Sequence, residues 1–547
     1  MTAQSQILPP LVPENAPFSD EQRAWLNGFF AGLLSMDGGV QALSRDAATA
    51  LLGSPLPGES QPAPAQEEDD GAPWHDASMP IDERMTLAEG KPLKRRMFAA
   101  MAQQDCGQCG YLCESYSAAI ASGEEPKLNK CVPGGKETQR MLKKLAVELD
   151  GGAAPAAEAP AAVEAPAASA AAEPGRSRET PVEATFLSKL RLNGEGSDKE
   201  TNHIEIDLSE CGLTYEPGDS FGLFASNCPE LAGLVAARLG VESDAAVTHD
   251  GETLPLSVWL SEKVCLGAAP DALFELLKAL VTSPDDKAKL AQLAEGEDPD
   301  GDLATLDVLA ALEKFPDARP APAEFLAALE PLQPRLYSIS SALSADPGKV
   351  SLTVDAVRYA VAERMRKGLA STFLADRIEP GAKVKVYVQR AHGFALPKSG
   401  DTPIVMVGPG TGIAPFRSFL RERRAKSATG GAWLFFGHQR EATDFLYRDE
   451  LAELQAAGAL TRLSLAWSRD GDQKVYVQDR MREAGAELWS WLEKGAHFYV
   501  CGDAKRMAAD VEKALIAIAA EHGGKGEGAK AFVADLKKAG RYQADVY

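Results

Sequence analysis

Apolar and polar positions divide the 547-residue chain into stretches of different period. Residues 18–36 set Trp25, Leu26, Phe29, Phe30, Leu33 and Leu34 three and four apart, and Ser19 with Gln22 forms a capping box ahead of them. The spacing predicts one amphipathic helix within a segment 1–53. A face this aromatic needs cover, from its own domain or from another subunit. Residues 54–77, rich in Pro, Gly, Gln and acids, read as a linker, and 78–149 as a compact cysteine segment with flanking helices. From 150 to 180 the run GGAAPAAEAPAAVEAPAASAAAEPGRSR buries too little apolar surface to fold and reads as a semi-extended tether.

Strand periods begin beyond the tether. HIEIDL (203–208) and KVKVYV (383–388) alternate as half-buried strands do, and Ala/Leu-rich helical stretches lie between about 228 and 330. After 401 the apolar runs PIVMV, AWLFF, LSLAW and HFYVC are separated by helical segments, the pattern of a doubly wound parallel sheet. The domains expected are therefore 181–400, with its helical insertion, and 401–547.

Charge and composition narrow the function. The net charge of −22 leaves no footprint for nucleic acid. No run of about 18 apolar residues is present to span a bilayer. The N-terminal stretch has neither a basic n-region nor an apolar h-region, so a cytoplasmic location is expected. Eight cysteines are too few for a disulfide scaffold, but four crowd between 106 and 131, which suggests a metal or redox site.

GPGTGIAPF (408–416) follows the PIVMV strand and opens a helix. Glycines such as Gly410, with Thr411, let backbone N–H groups approach a pyrophosphate at a helix start. Ser468 and Arg469 after LSLAW, with Lys474, Tyr476 and Gln478, supply hydroxyl, guanidinium, ammonium and phenol groups suited to a 2′-phosphate. Any one of these alone fits a solvated loop; as a set they favour NADPH over NADH. RLYS (335–338), VDAVRY (354–359) and GLAST (368–372) offer an arginine for a phosphate, a tyrosine to stack and small residues at a helix start, the parts of a flavin dinucleotide site.

These motifs, with YEPGD, PRLYSIS, LAWSRD, KVYVQD, AHFYVCGDAKRMAADVE and the terminal RYQADVY, run in order over roughly 185–547. The chain there closely resembles the reductase part of diflavin enzymes, above all the flavoprotein subunit of NADPH–sulfite reductase. The resemblance implies an FAD-binding antiparallel β-barrel, a helical connecting insertion and a C-terminal NADP(H) domain. It implies FAD contacts at Arg335, Leu336, Tyr337, Ser338, Thr353, Val354, Asp355 and Tyr359, and at Gly368, Leu369, Ala370 and Ser371 on the pyrophosphate side. It places Gly410, Thr411, Ser468, Arg469, Lys474, Tyr476, Gln478 and Asp510 at NADP positions. Tyr547 is expected to stack on the isoalloxazine until nicotinamide displaces it, and Ser338, Cys501 and Asp545 to line the hydride-transfer site.

The family normally carries a flavodoxin domain ahead of the reductase half, but 37–180 has no series of alternating strands and helices, so FMN is not expected. The helix at 18–36 resembles the segment that helps those flavoproteins assemble, which implies a homo-oligomer through this helix. In place of flavodoxin stands Cys106-x2-Cys109-x3-Cys113-x17-Cys131. Three close thiolates on a glycine-rich loop and one distant thiolate suit a 4Fe–4S cluster; structural zinc is the alternative. The run DCGQCGY…NKCVPGG also resembles the small iron–sulfur domain of ferredoxin-like subunits of ion-pumping NADH oxidoreductases, with three rather than four residues between the second and third cysteines.

The function expected is a relay, from NADPH to FAD to the cluster to a partner oxidoreductase. The haemoprotein of assimilatory sulfite reductase is the first candidate, an assimilatory nitrate reductase or other oxidoreductase the second. The third is a scaffold role with a structural metal. A tether of about 30 residues at half the polyproline contour of about 3.1 Å per residue spans about 45 Å, enough for a carrier to swing between docking sites.

Overall fold

A computed structural model describes residues 72–151 and 173–547, apart from Ser78 and His392. The helix expected over 18–36, the linker up to 71 and the tether over 152–172 lie outside the described residues.

The cysteine-bearing part is four helices, α1 (Ile81–Leu87), α2 (Leu93–Ala100), α3 (Cys113–Ala121) and α4 (Gly135–Gly151). Pro80 and Pro92 sit at the N-caps of α1 and α2, where a missing N–H costs nothing. One core joins them around Trp74, Met97, Phe98, Tyr116, Ile120 and Leu142. Trp74 is fully buried there and His75 lies against Phe98, so residues in the stretch read as linker pack into this unit.

The middle part is a six-stranded antiparallel sheet of β1 (Val182–Arg191), β2 (Thr201–Asp207), β3 (Ser220–Leu223), β6 (Arg335–Ser338), β7 (Lys349–Asp355) and β10 (Lys383–Gln389). Its order is β6-β3-β10-β1-β2-β7, and a bridge from Ile339 to Leu352 brings its two ends together as a barrel. Alternation in β2 sends Ile204 and Ile206 into the barrel core. Residues 173–180, read as the end of the tether, are anchored here: Gly175 accepts the Val388 N–H at 2.9 Å. A separate helical core lies between β3 and β6, from the helix Pro229–Leu239 to the helix Pro322–Ala327, and also carries the hairpin β4 (Ala246–His249) and β5 (Glu252–Pro255). The hairpin β8 (Arg358–Val361) and β9 (Arg364–Lys367) follows β7.

The C-terminal sheet contains β11 (Ile404–Val407), β12 (Ala432–His438), β13 (Arg462–Trp467), β14 (His497–Gly502) and β15 (Tyr542–Val546). All neighbours run parallel, in the order β13-β12-β11-β14-β15. β11 is buried at every position, because helices cover both faces and leave no polar side to alternate with. The last strand is not evident from pattern: YQADV alternates weakly and ends at the terminus. The order reverses direction between β11 and β14, which opens a crevice beyond their carboxyl ends where such sheets take ligands.

Candidate functional site

The loops leaving β11 and β14 meet at that switch point. Gly410 turns with φ +58° into a short helical turn, Gly410–Ile413, which leads into the helix Ala414–Ala425. Gly412 is required by close approach: a Cβ there would lie 2.2 Å from the Cys501 carbonyl oxygen. The glycine loop is thus pressed onto the end of β14.

Three residues far apart in sequence converge here. Parallel pairing sets Cys501 opposite Asp545, and the barrel brings Ser338 from the end of β6. Ser338 Oγ donates to Asp545 Oδ2 at 2.6 Å, and Cys501 Sγ lies 3.8 Å from the same oxygen. Burial raises the Asp545 carboxyl above its ordinary value, opposed by the Ser338 and Cys501 donors, and holds the Cys501 thiol neutral. Tyr547 is pinned by its backbone, which receives from Ala504 N–H and donates to Gly502 O, both at 3.1 Å. Its hydroxyl lies 2.7 Å from Thr411 Oγ1, and the residue as a whole remains 56% exposed. The hydride-site residues expected from sequence are therefore together, at a seam between barrel and sheet.

A cavity of about 490 Å³ opens beside β6. Arg335, Tyr359 and Leu369 line it, together with Lys367, Thr372 and Arg377. Gly368 caps the short helix Leu369–Thr372, and a Cβ there would lie 2.9 Å from Val357 Cβ, so this corner fits glycine only. Ala370 is buried in the barrel core and Ser371 Oγ accepts the Val357 N–H at 3.2 Å, which shapes the corner rather than facing the cavity. Arg364 and Arg366 add positive charge, both paired with Asp307. Sequence reasoning did not single out Arg364, Arg366, Lys367 or Arg377. RMRK is a short basic run of the kind that usually marks a solvated face, and Arg377 stands next to an acid in FLADR. The cation-rich lining and glycine corner suit a pyrophosphate.

The other expected flavin positions fall elsewhere. Leu336 pairs with Gly222 in the barrel, Tyr337 packs against the barrel core, and Val354 is buried in it. Thr353 Oγ1 meets Tyr447 Oη at 2.7 Å, and Asp355 takes the Lys199 ammonium at 2.8 Å.

Ser468 and Arg469 follow β13, with their backbone N–H groups on the carbonyls of His438 and Gln439. Arg469 Nη1 is 2.8 Å from Asp198 Oδ2, which Arg440 also reaches at 3.1 Å. Lys474 and Tyr476 are exposed on the next loop, and Gln478 lies in the helix Val477–Glu483. Asp510 is not joined to this group; it pairs with Lys513 at 3.6 Å on its own helix.

Cys106 and Cys109 lie on the loop before α3, Cys113 is the first residue of α3, and Cys131 precedes α4. Gly107 and Gly110 take φ of +65° and +89°. Burial raises all four thiols, and mutual repulsion adds at Cys106, Cys113 and Cys131; Cys106 is pushed up to about 11. Cys113 and Cys131 are buried in the core of this unit and Cys106 and Cys109 are half-buried, and among the described residues no three His, Cys, Asp or Glu side chains converge as the ligands of a single metal ion would. The loop is docked on the barrel. Gln108 Nε2 donates to the Pro334 carbonyl at 2.8 Å, next to Arg335, and Arg178 donates to the Gln108 carbonyl at 2.7 Å. Asn129 meets Glu330 at 2.6 Å and Lys143 meets Asp271 at 3.2 Å, which adds contacts to the helical insertion.

A cation-lined barrel cavity beside a parallel sheet with its glycine loop at the switch point defines a class, the flavin- and nicotinamide-binding oxidoreductases. Sequence families agree: residues 174–373 match the FAD binding domain and 406–513 the oxidoreductase NAD-binding domain. The chain belongs to the family of the flavoprotein alpha-component of NADPH sulfite reductase. It is 36% identical to that protein of Serratia proteamaculans over 604 aligned positions covering 98% of each chain. It is 43% identical to the Bacillus subtilis protein over 76% of this chain and 68% of that one. Against the Cronobacter sakazakii protein it is 43% identical over 68% of this chain, spanning 61% of that relative's length. Among the described residues no helix is long and apolar enough to cross a membrane.

Proposed function

We propose that this chain oxidises NADPH with FAD and passes the electrons through a 4Fe–4S cluster, without FMN, to the haemoprotein of assimilatory sulfite reductase. The observation that carries the first step is the Ser338–Asp545–Cys501 group, assembled from barrel and sheet at the switch point. Bound FAD supplies a two-electron acceptor that can be reoxidised one electron at a time. The cavity beside Arg335, Lys367 and Arg377 holds its pyrophosphate, and Gly368 lets the backbone come close. Ser338 and Asp545 orient the nicotinamide as hydride leaves its C4. Tyr547 covers the ring position until nicotinamide takes its place, with Thr411 holding its hydroxyl. Arg469 and Lys474 meet the 2′-phosphate; Arg469 exchanges Asp198 for it.

Cys106, Cys109, Cys113 and Cys131 hold the cluster, which supplies one-electron transfer. Two features support this: four thiols, two of them buried, are carried by one small helical unit, and their loop sits one peptide from Arg335. Docked there, the loop would receive electrons from the flavin and pass them to the partner. The N-terminal segment assembles the chain into an oligomer. Membership of the sulfite reductase flavoprotein family favours the haemoprotein as acceptor.

The test is iron and acid-labile sulfide analysis of the anaerobically purified chain, then NADPH oxidation with ferricyanide and with sulfite reductase haemoprotein. Iron, sulfide and turnover with both acceptors are expected. Zinc without sulfide would refute the cluster, and turnover with nitrate reductase but not haemoprotein would refute the named partner. Absence of ferricyanide reduction would leave a scaffold.

A further inference from the structure

Arg84, on α1, is 93% buried, since 7% of its surface is exposed. Its donors go to carbonyls: Nε to Met79 at 3.0 Å, and Nη1 to Ala99 at 3.0 Å and to Met101. Carbonyls satisfy hydrogen bonds but do not neutralise a charge, and a buried cation without a close anion is costly. Cys131 lies beside Thr138, since a Cβ at Gly134 would touch both Thr138 Oγ1 and Cys131 Sγ. Thr138 Oγ1 fastens the same turn by donating to the Ala100 carbonyl at 2.7 Å. Guanidinium and Thr138, the neighbour of Cys131, thus hold one short turn, residues 99–101, from two sides. Cys113 and Cys131 share one buried core with Ala99, Ala100 and Met101; burial lowers the Arg84 pKa, and the two cysteines act against it ahead of Asp76 and Glu137.

We propose that Arg84 is a positioning residue that balances the charge of an anionic, thiolate-held group at the four cysteines and raises its reduction potential. The inference rests on the cluster reading above. Accepting one electron adds one negative charge to such a group, with no bond made or broken, and a buried cation nearby favours that reduced form over the oxidised one. Nothing in the sequence marks this role, since Arg84 falls outside the cysteine motif.

The experiment uses the full chain, as Arg84→Gln and Arg84→Lys beside wild type, with iron and sulfide content and the cluster midpoint potential read by spectroscopic titration. NADPH–ferricyanide turnover and the flavin potential serve as controls. The expected result is a shift of the cluster potential to more negative values in R84Q, with the flavin potential unmoved and R84K close to wild type. A loaded R84Q with the wild-type potential overturns the inference and leaves the cluster reading intact. A wild type without iron and sulfide overturns the cluster reading, and this inference with it. If R84Q fails to load while R84K loads, the charge is needed to hold the group, as proposed. Equal failure of both variants to load assigns Arg84 to packing alone and overturns the proposal.

Discussion

Replacing Asp545 by alanine tests the contact that joins barrel and sheet. The carboxylate receives Ser338 Oγ at 2.6 Å and has Cys501 Sγ at 3.8 Å. A hydrogen bond to a charged group contributes about 1.5–3 kcal/mol. If that organisation is realised as hydride leaves nicotinamide, its loss slows flavin reduction about 10- to 150-fold. The assay is single-turnover stopped-flow bleaching of the flavin by NADPH, with nucleotide affinity measured separately. Stability changes the opposite way. Burial raises the folded-state pKa of Asp545, so its contribution is most favourable below the unfolded value of about 3.9 and is lost as pH rises through the folded value. Asp545→Asn, which mimics the protonated form, therefore melts higher than wild type near neutral pH while still reducing flavin slowly. Wild-type flavin reduction in D545A, or a D545N protein that melts lower at neutral pH than at pH 4 relative to wild type, would refute the reasoning.

Two further outcomes follow from the same geometry. Arg469→Ala raises the KM for NADPH about 10- to 100-fold through loss of a charge-assisted bond, whereas Asp198→Ala, which releases Arg469, lowers it; steady-state assays with NADPH and NADH check both, and equal changes with the two nucleotides would count against a 2′-phosphate role. Gly368→Ala places a Cβ 2.9 Å from Val357 Cβ, so the purified variant carries less FAD per chain on gel filtration, and full flavin content would show that the corner is not the pyrophosphate site.

Short-range features of this protein could be read directly. The glycine loop after β11, the RLYS strand, the GLAS turn and the cysteine spacing each rest on neighbouring residues, whose backbone needs are fixed by local sterics. The parallel and antiparallel halves were separable for the same reason, since continuous and alternating apolar runs report burial on two faces or one. The trio Ser338, Cys501 and Asp545, which the structure brings together, was named only through resemblance. Nothing local connects Ser338 with Asp545, 207 residues apart. The terminal strand carrying Asp545 was missed because its alternation is weak and its partner, β14, supplies the pairing.

What the chain determines alone is the set of elements, the glycine positions and the chemistry on offer, because these depend on contacts a few residues apart. Tertiary structure decided which of those groups meet. It paired Arg469 with Asp198 across 271 residues, seated Gln108 on the Pro334 peptide across 226, and buried Arg84 against the turn that leads to the thiols. A charged side chain carries no mark of whether it will be solvated or enclosed. That depends on the low-dielectric surroundings that packing creates, and packing is settled by the whole chain at once.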